Sequence, residues 1–301
     1  MLQQLKHLVQ DPPPLLVFEI SERSVTAVRR RPRGREVEAQ AEQELAEGAI
    51  VSSPAKPNVQ LPDELERAVE SVAQQLGPAK RPDTALLLPD ACARLTTLDF
   101  DQLPGDGKER LELIRWRLKK TLPFDVELAR IAYQPQRTAG GWVLLVAVTL
   151  PEVVKQYETP LRKVGLDPGF VAVSASSALN LVPFDEMTMF VKLAERSLTI
   201  AAVENGVVRL VRAVELVPDS DPAGSAALEE MAADLFPTTV FVADNLGAPV
   251  AKVILCGFDH LRPSAVGYFS SELGVDVEPL RSPQGVVDGR EAGIRGYLST
   301  Q

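Results

Sequence analysis

Two pentapeptides in the chain carry the same polar pattern. Glu22-Arg23-Ser24-Val25-Thr26 and Glu195-Arg196-Ser197-Leu198-Thr199 each follow a short apolar run, VFEI around Glu19 and FVKLA around Lys192, and each leads into another. A carboxylate, a guanidinium and a hydroxyl side by side at a turn offer two chemistries. Arginine and turn amides bind phosphate oxygens, and carboxylates orient a divalent cation or a water. Against the first, Glu22 and Glu195 put negative charge within a few ångströms of any phosphate held there. Solvated polar turns are therefore weighted above phosphate binding, although Arg23 and Arg196 keep the second reading open.

Other constellations are poorer. Cys92 and Cys256 are too few and too far apart for a disulfide framework or a zinc cage. They are read as buried thiols in a reducing compartment. His7 and His260 are the only histidines, which leaves almost no room for histidine metal sites or Ser/His and Cys/His nucleophiles. Asp99, Asp101, Asp106 and Asp125 alternate or sit in loops without a pocket, and Asp83, Asp90 and Asp185 stand at turns or strand ends, where aspartate is common. The sequence thus predicts no catalytic residue and no metal ligand set.

The elements that must position these turns follow from periodicity. LLVFEI, SVTAVRR and EVEAQAEQEL read as an antiparallel meander whose second turn, Arg29 to Arg35, holds five arginines. LPDELERAVESVAQQLG has helical spacing and TALLLPDAC is a buried strand. RLTTLDF, GDGKERLELIRWRLKKTL, ARIAYQP, GWVLLVAVT, PEVVKQYETPLRKVGL and PGFVAV then spell β-α-β-β-α-β, a small split sandwich. MTMFVKLA, SLTIAAVENG and VVRLVRAVEL form a second meander, followed by an Ala-rich helix, the strand VAKVILCGF, a helix and a closing strand. The predicted organisation is a leader over 1–14 with one or two helical turns, a first lobe over 15–92, an inserted subdomain over 93–173 and a second lobe over 174–301 ending in ordered turns.

The chain has 301 residues, 45% hydrophobic and 24% charged, and a formal net charge of −9. That length holds two lobes with sizeable cores, and that charge argues against a nucleic-acid backbone as the main ligand, local basic patches aside. No apolar run reaches a membrane span and the first ten residues lack a signal-peptide core. The expected location is cytoplasmic, with any membrane contact peripheral or through a partner.

Two meanders, each followed by helix and strand, are the pattern of an α/β, duplicated actin-like ATPase fold, in which the paired hairpins hold a nucleotide's phosphates between the lobes. In that frame Glu19 takes a metal-orienting aspartate's place and Lys192 the equivalent acidic position. Ser21 and Glu22 in one turn, and Ala194 in the other, stand where glycine lets a backbone approach an anion.

With its inserted unit the chain resembles the type IV pilus assembly protein PilM family, relatives of the cell-division protein FtsA. The resemblance is carried by RLTTLDFDQLP and the following helix with Trp116, by Leu122-Pro123-Phe124-Asp125 and Tyr133-Gln134, by GWVLLVAVTLPEVVKQYETPLRKVGLDPGFVAV and by VAKVILCGFDHLRPSAVGYFSSELGVDVEPL. It implies nucleotide glycines after the late strand, where this chain has Cys256-Gly257-Phe258-Asp259 and keeps one glycine, with Phe258 where a base or ribose would pack. It also implies a further helical subdomain between the second meander and that strand, where only 217–251 are available. For partners, it implies a PilN-like bitopic inner-membrane protein whose short cytoplasmic peptide docks beside the insert. Trp116, Phe124 and Tyr133 are the candidate partner-binding residues; for Trp116, packing against the main lobe is weighted above anchoring a peptide. The cytoplasmic part of the type II secretion L protein is a similar case.

The expectation is a non-enzymatic scaffold at the cytoplasmic face of the inner membrane, without a cofactor. The alternative is an active ATPase or kinase relative that binds Mg-ATP between the lobes.

Overall fold

The computed structural model describes residues 13–31, 36–78, 81–183, 185–216 and 225–300. The helical turns expected over 1–10 and the tip of the arginine turn lie outside the described residues.

The first lobe opens with β1 (Leu16–Ile20), β2 (Ser24–Arg30) and β3 (Val37–Glu44). β1 is buried along its whole length because it has a neighbour on each edge, β2 antiparallel and β4 parallel. A parallel neighbour requires a crossover, and α1 (Pro62–Leu76) supplies it before β4 (Asp83–Leu88). Pro62 with Asp63 and Glu64 begins α1, and Leu65, Val69, Val72 and Leu76 form the face it buries against the sheet.

The insert comprises β5 (Arg94–Phe100), α2 (Gly107–Leu118), β6 (Arg130–Thr138) and β7 (Gly141–Thr149). Its strands make an antiparallel sheet in the order β5-β7-β6. Asp106 caps α2 by accepting from the amides of Lys108 and Glu109, and Ile114 and Leu118 seal the helix onto Leu144, Val146 and Val148.

The insert ends sooner than the sequence predicts. α3 (Pro151–Lys163) places Val153, Tyr157 and Leu161 in the first lobe's core with α1, and β8 (Asp167–Val173) pairs in parallel with β4. The reason is β4, buried from Thr84 to Leu88, whose outer backbone groups need a partner. The unit is therefore β-α-β-β over 93–149, and the first lobe is discontinuous, with order β3-β2-β1-β4-β8.

After the short α4 (Ser174–Ala178), the second lobe repeats that design. It contains β9 (Thr188–Ala194), β10 (Ser197–Glu204), β11 (Val207–Glu215), α5 (Ser225–Leu246), β12 (Lys252–Cys256), α6 (Arg262–Leu273) and β13 (Asp276–Pro279). Its sheet order, β11-β10-β9-β12-β13, matches the first position by position. α5 and α6 cover one face of this sheet.

The tail is also more ordered than predicted. α7 (Ala292–Ser299) is a helix, and it leaves the second lobe to pack Ile294, Tyr297 and Leu298 on Val17, Val28, Ala85 and Leu87 of the first sheet. α4 packs Ala175 and Ala178 under Phe190 and Ile254 of the second sheet. α4 and α7 touch so closely that a Cβ at Gly296 would lie 2.0 Å from the Ser177 carbonyl oxygen. The two lobes thus share an interior. No helix among the described residues is long and apolar enough to cross a membrane.

Candidate functional site

The two repeated turns face one cleft of about 340 Å³ between the lobes, lined by Glu19, Ser21, Glu22, Arg23, Asp90, Lys192, Ala194, Glu195, Arg196, Ser197 and Gly257 among others. The structure brings the two repeated turns together at this cleft and adds Asp90, which sequence reading places only among the turn aspartates. A short 3-10 turn at the end of β4 presents Asp90, whose Oδ2 accepts from Lys192 Nζ at 2.6 Å and whose Oδ1 accepts from the Ala175 amide at 2.7 Å. Both partners are nearly fully buried. The signal was present: a lone lysine inside the apolar run FVKLA requires a buried counter-charge. Burial works against the Lys192 charge, but Asp90, Cys256 and Glu19 outweigh it and hold the ammonium above its ordinary pKa.

Glu19 lies beside this pair and is fully buried on β1. It accepts from the Ser174 hydroxyl and, at 2.9 Å, from the Ile294 amide of α7. Burial raises its pKa from 4.5 to about 7, with Lys192 pulling the other way. The folded state therefore keeps a proton that the unfolded chain releases. Stability is fully present below pH 4.5 and falls as pH rises through about 7, by up to about 3 kcal/mol. Glu19→Gln keeps a carbonyl oxygen to accept from the Ile294 amide and gains an amide nitrogen that can donate to the Ser174 hydroxyl oxygen, and it is expected to flatten that fall in urea unfolding followed against pH. An unchanged slope would assign it to another group.

The turns themselves are filled from within. In the first, Ser21 Oγ accepts from the amides of Arg23 at 3.1 Å and Ser24 at 2.9 Å. Glu22 turns inward and accepts from the Ser52 amide at 2.7 Å. Arg23 faces Glu47 at 3.8 Å, largely in solvent, where such a pair contributes little. In the second turn, Ala194 pairs with Ser197 across β9 and β10, Glu195 is exposed, and the Arg196 guanidinium has no ion-pair partner among the described residues.

Gly257 is required by packing within the protein. Its φ is +78°, and a Cβ there would stand 2.1 Å from the Leu193 carbonyl oxygen, while a Cβ at Gly289 would meet Gly257 Cα at 2.4 Å. Phe258, expected to occupy the place where a base or ribose would pack, is instead buried in the second lobe's core edge-on to Phe269.

Of the partner-binding candidates, Phe124 and Tyr133 both pack, half-buried, on the insert's own core, and Tyr133 also borders a hollow. Trp116 does not pack against the main lobe: it is 71% exposed. Tyr133 borders a groove of about 280 Å³ with Leu145, Phe170, Val173 and Tyr297. Phe170 and Tyr297 stack at 5.1 Å between ring centroids. One wall of this groove is β6 and the other is β8, and each is the outer strand of its sheet. Sequence reading missed Phe170 and Tyr297 because it placed β8 in the insert's sheet and no helix in the tail.

Within the described residues no cluster of three or more Asp, Glu, His or Cys could hold a metal ion. Glu19, Asp90 and the first turn's amides, the groups that would meet a metal or a phosphate, already have partners inside the protein.

No protein-family profile matches the chain, and no curated protein matches it in sequence. Solved structures do match. The structure titled PilM-PilN type IV pilus biogenesis complex superposes with a TM-score of 0.77 at 18% identity, over 95% of this chain and 99% of that one. A Bacteroides thetaiotaomicron protein described as having an actin-like ATPase fold and unknown function gives 0.61 at 12% identity, over 95% of each chain. Ethanolamine utilization protein EutJ from Carboxydothermus hydrogenoformans gives 0.55 at 11%, over 98% of this chain and 93% of that one. Two sheets of one strand order, facing each other across paired hairpins, give this chain the actin-like two-lobed fold.

Proposed function

We propose that the protein is a non-enzymatic adaptor at the cytoplasmic face of an inner membrane, serving a pilus or related secretion machine and binding an extended peptide from a single-span, PilN-like partner. The observation that carries this is the groove between β6 and β8. The outer strand of each sheet lines it, with no further strand paired beyond either one among the described residues, Phe170 and Tyr297 give it an aromatic wall, and Tyr133 stands at its border with its ring against the insert's core. Strand addition takes its affinity from such edges and its specificity from side-chain pockets beside them. The likeness to a PilM-PilN complex supports the partner class.

The interlobe cleft supports the absence of catalysis in this reading. A lysine ammonium sits beside Asp90 and Glu19, and a serine hydroxyl uses the amides of the first turn. A metal-bound polyphosphate would have to displace these partners, and Glu22 and Glu195 would oppose its charge.

One set of calorimetric titrations tests both halves. The cytoplasmic N-terminal peptide of a PilN-like single-span protein is expected to bind, and Tyr133→Ala to weaken it at least about tenfold, the loss typical of an aromatic anchor. Mg-ATP is expected to show no micromolar binding. Micromolar Mg-ATP affinity would restore the ATPase reading, and peptide affinity indifferent to both Tyr133→Ala and Phe170→Ala would move the partner elsewhere.

A further inference from the structure

The outward face of α2 is left unused by the groove and by the cleft. Ile114 and Leu118 point into the insert's core, so Trp116, Lys119 and Lys120, spaced i, i+3 and i+4, share the C-terminal half of the opposite side, with Glu109 and Glu112 on the same side one and two turns nearer the helix start. Trp116 is 71% exposed and both lysines are exposed. No carboxylate lies within ion-pair distance of Lys108, Lys119 or Lys120 among the described residues, whereas Arg81, Arg162, Lys163, Lys252 and Arg290 are all paired. Residues 107–120 hold six basic and two acidic side chains in a chain whose net charge is −9. Arg117 stacks on the Phe100 ring at 5.3 Å, which fixes one more cation on this element.

We infer that this face of α2 rests on an anionic lipid surface, with the Trp116 indole in the interfacial layer and Lys119 and Lys120 against lipid phosphates. Charge complementarity gives the occupant. An indole flanked by lysines matches the headgroup region, where aromatic rings are half wet and long amines reach phosphate while their stems stay apolar. A peptide that used Trp116 as its anchor would need a pocket around it, whereas Trp116 is 71% exposed and neither the cleft nor the groove is lined by an α2 residue. The groove faces a different set of elements, so lipid contact at α2 is independent of peptide binding there.

The test uses the full chain with phosphatidylcholine vesicles, with and without phosphatidylglycerol. Co-sedimentation is expected only with phosphatidylglycerol present, and it should weaken as salt screens the charges. In a Trp142→Phe background, Trp116 is the single tryptophan and its emission should shift to the blue on binding. Lys119→Gln with Lys120→Gln is expected to weaken binding about thirtyfold, about fivefold for each charge. Trp116→Ala should weaken co-sedimentation with the phosphatidylglycerol vesicles while leaving the thermal midpoint unchanged, since the ring makes little contact inside the fold. Tyr133→Ala should leave vesicle binding intact. α5 exposes Phe236, Val240 and Phe241 without such basic neighbours, and Phe241→Ser is expected to have no effect. The inference is overturned by equal binding to both vesicle types, by no binding at low salt, or by loss with Phe241→Ser and not with the lysine pair. It is also overturned if a glutamate-rich peptide, and no vesicle, responds to the α2 substitutions.

Discussion

Lys192→Met is expected to destabilise the protein by about 3–5 kcal/mol, the cost of leaving one member of a buried ion pair without its partner. Asp90 is 4% exposed and Lys192 5%, and Glu19 lies beside them as a second buried acid. Without the ammonium, the Asp90 carboxylate keeps only the Ala175 amide and stays buried without a counter-charge. The double variant Lys192→Met with Asp90→Asn is expected to recover most of the loss, because neutral, similarly shaped partners remove the desolvation of both charges. Urea unfolding of the four proteins in this cycle measures the coupling. A single-variant loss below about 1 kcal/mol would mean that water reaches the pair and screens it as at a surface. In that case the pair would not be what joins β4 of one lobe to β9 of the other.

The duplication was legible because its carriers are local. Fully apolar strands bounded by polar turns, followed by a helix with apolar positions at 3.6-residue spacing, announce themselves in one window, and both meanders do so. The repeated turns were therefore assigned to the right place in the fold and to one common cleft. Three features were illegible because a distant contact decides them. PGFVAV could pair with the insert or with the first lobe, and only β4's open edge selects the second. GIRGYL holds two glycines, each costing about 1 kcal/mol of helix propensity, and it is helical because α4 and the first sheet receive it. Phe258 directly follows the cleft glycine, yet its ring turns into the core beside Phe269. Asp90 is intermediate. Nothing at its own position reveals it, but Lys192, embedded in an apolar strand, required an acid somewhere.

The tail helix provides the second large expected effect. Gly296→Val should cost about 3 kcal/mol or more, at the upper end of what overpacking a filled interior costs. A Cβ at 296 would meet the Ser177 carbonyl oxygen at 2.0 Å and Ala178 Cα at 2.8 Å, both backbone atoms that cannot rotate aside. α7 would have to lift from α4, which also withdraws the Ile294 amide from Glu19 and uncovers Val17, Val28, Ala85 and Leu87. Gly267, inside α6, is the matched control, since a Cβ there meets nothing within 4 Å. Gly267→Ala is expected to raise stability by about 0.5–1 kcal/mol through helix propensity alone. Parallel urea unfolding separates the two. If both substitutions behaved as simple helix-propensity changes, α7 would not be wedged between the lobes. If Gly296→Val is severely destabilising while Gly267→Ala is not, the tail is a structural element of the first lobe contributed by the end of the chain. The cleft's inner wall, Glu19 included, would then depend on residues that follow the second lobe.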